Sequence, residues 1–268
     1  MFEPLYVAAT GLSAYQDEIS DITNNLANAQ TTAFKKGRTE MESLFFIQKS
    51  FDQMLAQAMA GQTNMASAPV GVEYGTGVRV AATPKDFSQG TLNVTSNPMD
   101  LAINGDGFLQ FRMPDGTTAY GRAGNLHMDN EGNVVDASGH LLESPITIPD
   151  NTVGIEVQPT GKVFAQISGQ LEKEEIGTIE TAKFTNPAGL RSLGQNLYGA
   201  TPASGEPVTG NPGDEGFGIL TQYTLEQSNV DVISEMMRMI TVQRVFDTIT
   251  KSVTSYEAML TALQQMRQ

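Results

Sequence analysis

The sequence predicts an α+β fold in which paired N- and C-terminal helices, similar to a coiled coil, carry an inserted all-β, hairpin-rich domain. Apolar residues recur at helical spacing near both ends of the chain. Short alternating runs separated by turn residues fill the middle. A chain of 268 residues can also bury a sizeable core. The two helices best suited to pair are therefore the two that lie farthest apart in sequence.

The first helix is predicted from about Pro4 to Asn28, because proline is tolerated in a first turn and an Asn-rich run lies near the end. Its apolar residues follow alternating steps of three and four, the spacing of a stripe that packs against a partner helix. The stripe consists of Leu5, Ala8, Leu12, Tyr15, Ile19, Ile22 and Leu26.

The last helix is predicted to be apolar on two faces. One stripe consists of Ile233, Met237 and Ile240, and the second of Val242, Val245, Ile249, Val253, Tyr256, Leu260 and Leu263. Such a helix needs neighbours on two sides. We expect the first helix on one side and another copy of the chain on the other. Arg244, between the stripes, is expected either to pair with a carboxylate or to remain solvated.

A helix is also predicted from Thr39 to Gly61, after a break from Gln30 to Gly37 and before a flexible stretch from Gln62 to Gly71. Its apolar face consists of Leu44, Ile47, Phe51, Met54, Leu55 and Ala58.

From Gly75 to about Tyr198 the pattern predicts antiparallel sheets. The runs include 90–95, 108–113, 126–129 and 154–158, and turn residues at 104–107, 114–116 and 130–132 predict hairpins. A loop rich in Pro and Gly spans 201–218, and a last β run, 219–225, precedes Ser228, a candidate cap for the final helix or its approach.

Composition narrows the possible chemistry. A formal charge of −14 disfavours nucleic acid and anionic membranes, and the lack of cysteine removes disulfides and thiolate metal sites. His127 and His140 have no suitably spaced partners, so we expect no metal or cofactor. No cleavable secretory signal is expected at the start of the chain. The Asn24, Asn25 and Asn28 amides indicate either a frayed helix end or hydrogen bonds that set the register of a packed interface.

Short motifs along the chain resemble the bacterial flagellar rod and hook family. The N-terminal motif consists of Asn24, Asn25, Leu26, Ala27 and Asn28, followed by Thr32, Ala33, Phe34 and Lys35. The other motifs are residues 75–79, 88–90, 107–108, 114–117 with Tyr120, 186–190, 228–230 and 239–247. Within the family they are most similar to the distal rod subunits of the basal body. Ala33 departs from the pattern, since the family usually has glycine before the Phe, in a turn that relies on glycine dihedrals.

The resemblance implies a non-enzymatic subunit of the distal rod, which crosses the periplasm and polymerises helically into a rigid hollow drive shaft from motor to hook. It implies three regions: an axial helical domain (1–30 with 228–268), a connecting segment (31–74 with 211–227) and an outer β domain (75–210). The implied partners are further copies, proximal rod and hook subunits, the peptidoglycan-ring and outer-membrane-ring proteins, and the flagellar type III export apparatus, which needs no cleaved signal.

The resemblance also assigns two sets of residues beyond the helix stripes. The signature interface consists of Asn24, Asn25, Leu26, Ala27, Asn28, Phe34, Lys35, Ser228, Asn229, Val230, Gln243 and Arg244. A rod-stiffening insertion, within about Phe46 to Pro69, is represented by Phe51, Met54, Leu55 and Met59.

Two alternatives remain open. A hook or proximal rod subunit is the alternative within the family, and a β-rich carbohydrate-acting enzyme with helical oligomerisation arms is the alternative from another class. A lone helix of this length is marginal in water, so we expect the termini of the isolated monomer to be largely disordered and to fold on joining the growing end of a polymer.

Overall fold

The structure is a computed structural model that describes residues 3–49, 72–149, 151–169 and 172–266. It confirms the α+β class, with one long helix near each end of the chain and strands between them. Helix α1 spans Glu3–Ala27, helix α2 spans Val232–Gln265, and Pro187–Gly189 forms a single 3₁₀ turn. None of the helices in these ranges combines the length and apolarity needed to cross a membrane.

The strands are short and run along most of the chain between the two helices. They are β1 (Glu40–Ser43), β2 (Phe46–Lys49), β3 (Val72–Gly75), β4 (Val78–Ala82), β5 (Leu92–Val94), β6 (Leu101–Asn104), β7 (Phe108–Arg112), β8 (Thr118–Gly121), β9 (His127–Met128), β10 (Val134–Val135), β11 (Leu141–Leu142), β12 (Thr152–Val157), β13 (Lys162–Ile167), β14 (Glu174–Thr178), β15 (Thr181–Lys183), β16 (Arg191–Gly194), β17 (Leu197–Gly199), β18 (Val208–Gly210), β19 (Ile219–Gln222) and β20 (Thr224–Glu226).

The chain separates into two compact units. The helical unit takes its described residues from 1–23, 38–83 and 233–268, and the β unit takes them from 24–37 and 84–232. Both units are discontinuous in sequence, because the chain passes from one to the other several times. The division into three regions that the resemblance implies stays a prediction.

Within the helical unit, α1 and α2 pack antiparallel. Glu18 of α1 pairs with Arg238 of α2 at 2.8 Å, and a Cβ on Gly11 would lie 3.7 Å from the Cδ1 of Ile249. Moving back along α1 therefore moves forward along α2. The small residue at position 11 lets the helices approach closely.

The helical unit also contains an antiparallel β ribbon. Strand β1 pairs with β4 and β2 pairs with β3, and the Leu44 N–H donates to the Gly77 carbonyl at 2.9 Å between the two ladders. The ribbon contacts α1 through Thr10, whose hydroxyl accepts from the Val78 N–H at 3.4 Å. A Cβ on Gly77 would lie 2.1 Å from that hydroxyl oxygen, so glycine is required there.

The predicted helix from Thr39 to Gly61 is wrong over its described part, because residues 40–43 and 46–49 are strands. The spacing of Leu44 and Ile47 also fits a helix face, but residues 72–82 supply a partner strand whose ladder hydrogen bonds override this local pattern. The rest of the predicted helix and the stretch 62–71 lie outside the described residues.

The β unit contains a nine-stranded antiparallel sheet. Seven of its strands follow the path β16-β17-β8-β7-β11-β10-β9, and the other two branch from it, because β15 pairs with β7 and β18 pairs with β15. A separate sheet, β12-β13-β14, packs with it around an apolar core. Fully buried members of this core include Leu109, Phe111 and Leu126. A second cluster is aromatic: Phe108 and Tyr120 each meet Phe184 edge to face, with ring centroids 5.8 and 4.8 Å apart.

Two of the three predicted hairpins are confirmed. Residues 114–116 join the paired strands β7 and β8, and residues 130–132 join the paired strands β9 and β10. The turn at 104–107 is not a hairpin, because β6 pairs with β19 rather than with β7. There the Asp106 carbonyl accepts from the Gly218 N–H at 2.7 Å, so the turn carries the chain between two sheets.

The predicted run 219–225 forms two strands, β19 and β20. Tyr223 interrupts it with φ of 58°, a left-handed conformation that ends one ladder before the next begins.

Candidate functional site

The two helices carry one apolar stripe that is at least partly buried within the single chain. Ile22 and Val242 are buried, and the other described stripe residues are partly buried. These are Leu5, Ala8, Leu12, Tyr15, Ile19 and Leu26 on α1, with Val245, Ile249, Val253, Tyr256 and Leu260 on α2. The side chain of Leu263 is not among those that the structure describes.

The other predicted stripe of α2 lies on the surface of the chain. Ile233, Met237 and Ile240 are 70, 59 and 50% exposed. Met236, which the sequence analysis missed, is 51% exposed beside them. Met236 could have been predicted from the sequence, because it lies next to Met237 and widens the same apolar face of the helix. A single chain therefore leaves this face of α2 in water.

An ion pair joins the helices where the sequence analysis did not expect one. The Arg238 guanidinium donates from Nε and Nη2 to Oε1 of Glu18, at 3.0 and 2.8 Å. Arg244, the predicted candidate, is exposed, and its carbonyl accepts the Thr248 hydroxyl at 2.8 Å. Arg244 was expected either to pair with a carboxylate or to remain solvated, and in the single chain its side chain is solvated. Gln243 is also exposed.

The β unit holds a polar cluster, here called the signature clamp, made of the buried residues Asn25, Lys35, Arg122 and Glu226 and the partly buried Asn229. At its centre Glu226 accepts from two cations, Lys35 Nζ at 2.5 Å and Arg122 Nε at 2.8 Å. Lys35 and Glu226 are 0% exposed and Arg122 is 4% exposed. These two ion pairs therefore link three residues that lie far apart in the sequence.

The backbone around the clamp satisfies the remaining donors and acceptors. Lys35 Nζ donates to the Ser88 carbonyl at 2.7 Å, and Arg122 Nη2 donates to the Gly105 carbonyl at 2.8 Å. The Gly90 N–H donates to Glu226 Oε1 at 2.8 Å. Buried charges are tolerated only when they are paired and hydrogen-bonded in this way.

Two amides extend the clamp on either side of the ion triad. The Asn25 side chain is fully buried and exchanges two hydrogen bonds of 2.9 Å with the backbone of Gly37. Asn229 accepts from the Lys36 N–H and donates to the Asp86 carbonyl, both at 2.8 Å. The Asn25 amide therefore makes hydrogen bonds that hold two segments together, and it does so within one chain. Asn28 donates to the Asn24 carbonyl at 3.0 Å near the helix end.

Other signature residues of the β unit lie close in sequence to the clamp residues. Phe34 is buried with Lys85 over its ring at 5.2 Å, and Ser228 accepts from the Val230 N–H at 3.3 Å, ahead of α2. Ala27 is exposed. Ala33 keeps the left-handed turn with φ of 55° despite its side chain, and its N–H donates to the Glu226 carbonyl at 2.8 Å. The insertion residues Phe51, Met54, Leu55 and Met59 lie outside the described residues.

Opposing effects set the ionisation of the central pair. Burial raises the pKa of Glu226, but attraction to Arg122 and then to Lys35 outweighs it, so this pKa lies below its ordinary value. Burial lowers the pKa of Lys35 more than attraction to Glu226 raises it. We therefore describe Glu226 as a firmly ionised acceptor. Its interior position makes the clamp sensitive to loss of any one partner.

Both histidines lie in the β unit, on or near its strands. His140 contacts Asp136 at 2.9 Å near a turn, and His127 is exposed on β9. Among the described residues, no three His, Cys, Asp or Glu side chains are grouped so as to hold a metal ion. The predicted residues come together in two places, the helix pair and the clamp. In both places they hold segments of the chain against one another.

A long antiparallel pair of terminal helices with one exposed apolar face, together with an inserted β unit, defines the class of structural proteins. Three family descriptions match its parts: "Flagella basal body rod protein" over residues 5–35, "Flagellar hook protein FlgE/F/G D1 domain" over 102–165 and "Flagellar basal body rod FlgEFG protein C-terminal" over 221–266. The matches cover α1 with its signature, much of the β unit, and α2.

Full-length relatives are similar throughout. The chain is 39% identical over 266 residues to the flagellar basal-body rod protein FlgG of Buchnera aphidicola subsp. Schizaphis graminum, covering 99% of this chain and 100% of that protein. It is 36% identical to FlgG of Caulobacter vibrioides, covering 99% of each, and 33% identical to FlgG of Bacillus subtilis, covering 100% of each. The chain belongs to the FlgG family of flagellar basal-body rod proteins and is a structural subunit of the distal rod.

The clamp predicts a large difference between two Glu-to-Gln substitutions. Glu226→Gln removes the carboxylate that lies between two buried cations, so we expect the free energy of unfolding to fall by about 3–5 kcal/mol. Glu42→Gln breaks the exposed pair with Arg79, where screening by solvent limits the loss to less than about 1 kcal/mol. Urea unfolding of both variants measures the difference, and equal losses would show that the triad does not stabilise the β unit.

The same substitution predicts a pH dependence. A carboxyl whose pKa is lowered by folding stabilises the protein above its unfolded pKa, and this stabilisation is lost as the pH falls through the folded value. The difference in unfolding free energy between wild type and Glu226→Gln should therefore be largest above the ordinary value of 4.5 and shrink below it. A difference that grows on acidification would contradict the assigned direction.

Proposed function

We propose that this chain polymerises helically into a rigid, hollow drive shaft that transmits torque from the flagellar motor to the hook, as the distal rod crossing the periplasm. The observation that carries the proposal is the exposed apolar stripe of α2, represented by Met237 and Ile240. An exposed apolar patch on an ordered helix commonly marks a surface for association. Membership of a rod family supports further copies of the chain as the partner.

The helix pair supplies the axial part of this shaft in the proposal. Burying apolar surface contributes roughly 25 cal/mol for each Å², so covering both faces of α2 would stabilise a bundle that a single chain leaves incomplete. Helices packed on all apolar faces resist relative sliding, because close-packed side chains cannot move past one another without opening voids. Torque can then pass through the bundle.

The further roles in the proposal follow family membership. We assign the chain no enzymatic activity, proximal rod and hook subunits as its neighbours at the two ends of the shaft, and the peptidoglycan-ring and outer-membrane-ring proteins as its surroundings. Export occurs through the flagellar type III apparatus without cleavage of a signal. The exposed signature residues Asn24, Ala27, Gln243 and Arg244 act at contacts between subunits, as do the insertion residues 51, 54, 55 and 59.

A charge within the helix pair is predicted to block assembly. Ile249→Asp places a carboxylate in the stripe that faces α1, where an unpaired charge costs several kcal/mol. We expect no filaments in electron micrographs, while circular dichroism still reports the strands of the β unit. Val153→Asp is the control, since Val153 is 73% exposed on β12 and the same change there should leave assembly intact. Normal filaments from Ile249→Asp would count heavily against the proposed axial packing.

The ribbon insertion is predicted to stiffen the shaft. Lys49 and Val72 are paired at the end of the described ladder, so a two-residue Asn-Gly turn can replace residues 50–71 and retain β2 and β3. We expect filaments that form but bend more, because the contacts of the insertion with neighbouring copies are gone. Persistence length from electron micrographs measures this, and an unchanged value would refute a stiffening role.

A further inference from the structure

The two ends of α2 differ from its middle in a way that the helix pair does not explain. Near its start, Met236, Met237 and Ile240 are each at least 50% exposed. Near its end, Met259 and Met266 are 59 and 83% exposed. Between these apolar ends the outward surface is polar and charged. It includes Gln243, Arg244, Asp247 and Lys251, all exposed.

The far end of α2 extends beyond its partner helix. The contacts of Glu18 with Arg238 and of Gly11 with Ile249 fix the antiparallel alignment. Extended to the first described residue of α1, Glu3, the same alignment reaches about residue 255 of α2 at 1.5 Å per residue. Helix α2 continues to Gln265, so its last ten residues or so, roughly 15 Å, project past α1. This projecting end is called the overhang.

The overhang is built for an apolar neighbour. Residues 258–266 contain no charged side chain, in a chain whose formal charge is −14. Its methionines are flexible and polarisable, which suits them to packing against an irregular apolar surface. The start of α2 offers such a surface in Met236, Met237 and Ile240, and the only charge among residues 236–243, Arg238, is taken up by Glu18. This second surface is called the socket.

We propose that the overhang of one copy packs on the socket of the next, so that the two ends of α2 form a head-to-tail contact between copies. This inference rests on the proposed function and names the surfaces that join the copies. A contact between two different surfaces does not close on itself, and it generates an open helical polymer. A contact of socket with socket would instead give a closed dimer.

One physical feature favours this pairing, and the helix length limits its geometry. The start of α2 carries the positive end of its helix dipole and the overhang carries the negative end, so head-to-tail docking places opposite partial charges near each other. The overlap also limits the geometry. Copies in contact must be offset along α2 by less than the helix length, roughly 50 Å.

The lack of cysteine makes the contact testable by directed cross-linking. We would prepare Met237→Cys, Met259→Cys and the double variant, polymerise each, and treat the filaments with a short bismaleimide. The head-to-tail contact predicts no cross-linked product from either single variant, a dimer only from their mixture, and a ladder of higher oligomers from the double variant. Val153→Cys combined with Met237→Cys is the control and should give no ladder.

Each outcome decides between alternatives. Dimers from Met237→Cys alone would mean that socket meets socket, and dimers from Met259→Cys alone that overhang meets overhang. Filaments of the double variant without a ladder would overturn the proposed pairing while leaving polymerisation, and hence the proposed function, in place. Wild-type protein that forms no filaments under any condition tested would count against the proposed function itself. Met237→Ser and Met259→Ser, imaged as filaments, show whether loss of the methionines alone prevents assembly.

Discussion

The packing of α2 is the constraint on which the rest of the structure depends. This helix has apolar side chains on two faces, and in the part of the chain that the structure describes α1 packs against one of them. The covered face includes the buried Val242, whereas Met237 and Ile240 remain in water. Because burial of apolar surface is the main favourable term in association, the uncovered face makes the single chain an incomplete unit. In the proposed function, polymerisation follows from the same stripe pattern that forms the helix pair.

The signature clamp solves a different problem within the β unit. The chain enters the clamp soon after α1 and leaves it shortly before α2, so segments far apart in sequence must be held in one arrangement. Apolar packing alone tolerates several registers, whereas an ion triad of Lys35, Arg122 and Glu226 with directed hydrogen bonds fits one. A buried charge pair costs desolvation energy, and we interpret its presence here as a specification of geometry.

The sequence predicted those features that repeat at a regular spacing. Both helices, their stripes and the hairpins at 114–116 and 130–132 follow from periodicity and turn chemistry. Strands β1 and β2 escaped prediction because their conformation depends on partners at 72–82, which local spacing does not reveal. The turn at 104–107 was misassigned for the same reason, since the pairing of β6 with β19 joins segments more than a hundred residues apart.

The candidate site was predictable in part. Asn25, Lys35 and Asn229 were predicted through the family resemblance, whereas Arg122 and Glu226 were not, because no spacing rule connects these two residues with each other or with Lys35. Arg238 was overlooked in favour of Arg244, because both lie among apolar residues and only the position of Glu18 distinguishes them. Long-range electrostatic pairing of this kind is set by the fold and leaves no local pattern.

Amide hydrogen exchange of residues 5–26, measured on monomer and on polymer, tests the central claim most directly. If neighbouring copies complete the bundle, these amides exchange rapidly in the monomer, while the core of the β unit is protected, and they become strongly protected in the polymer. Equal and strong protection of residues 5–26 in both states would show that the helix pair is already complete in one chain, and would contradict the account.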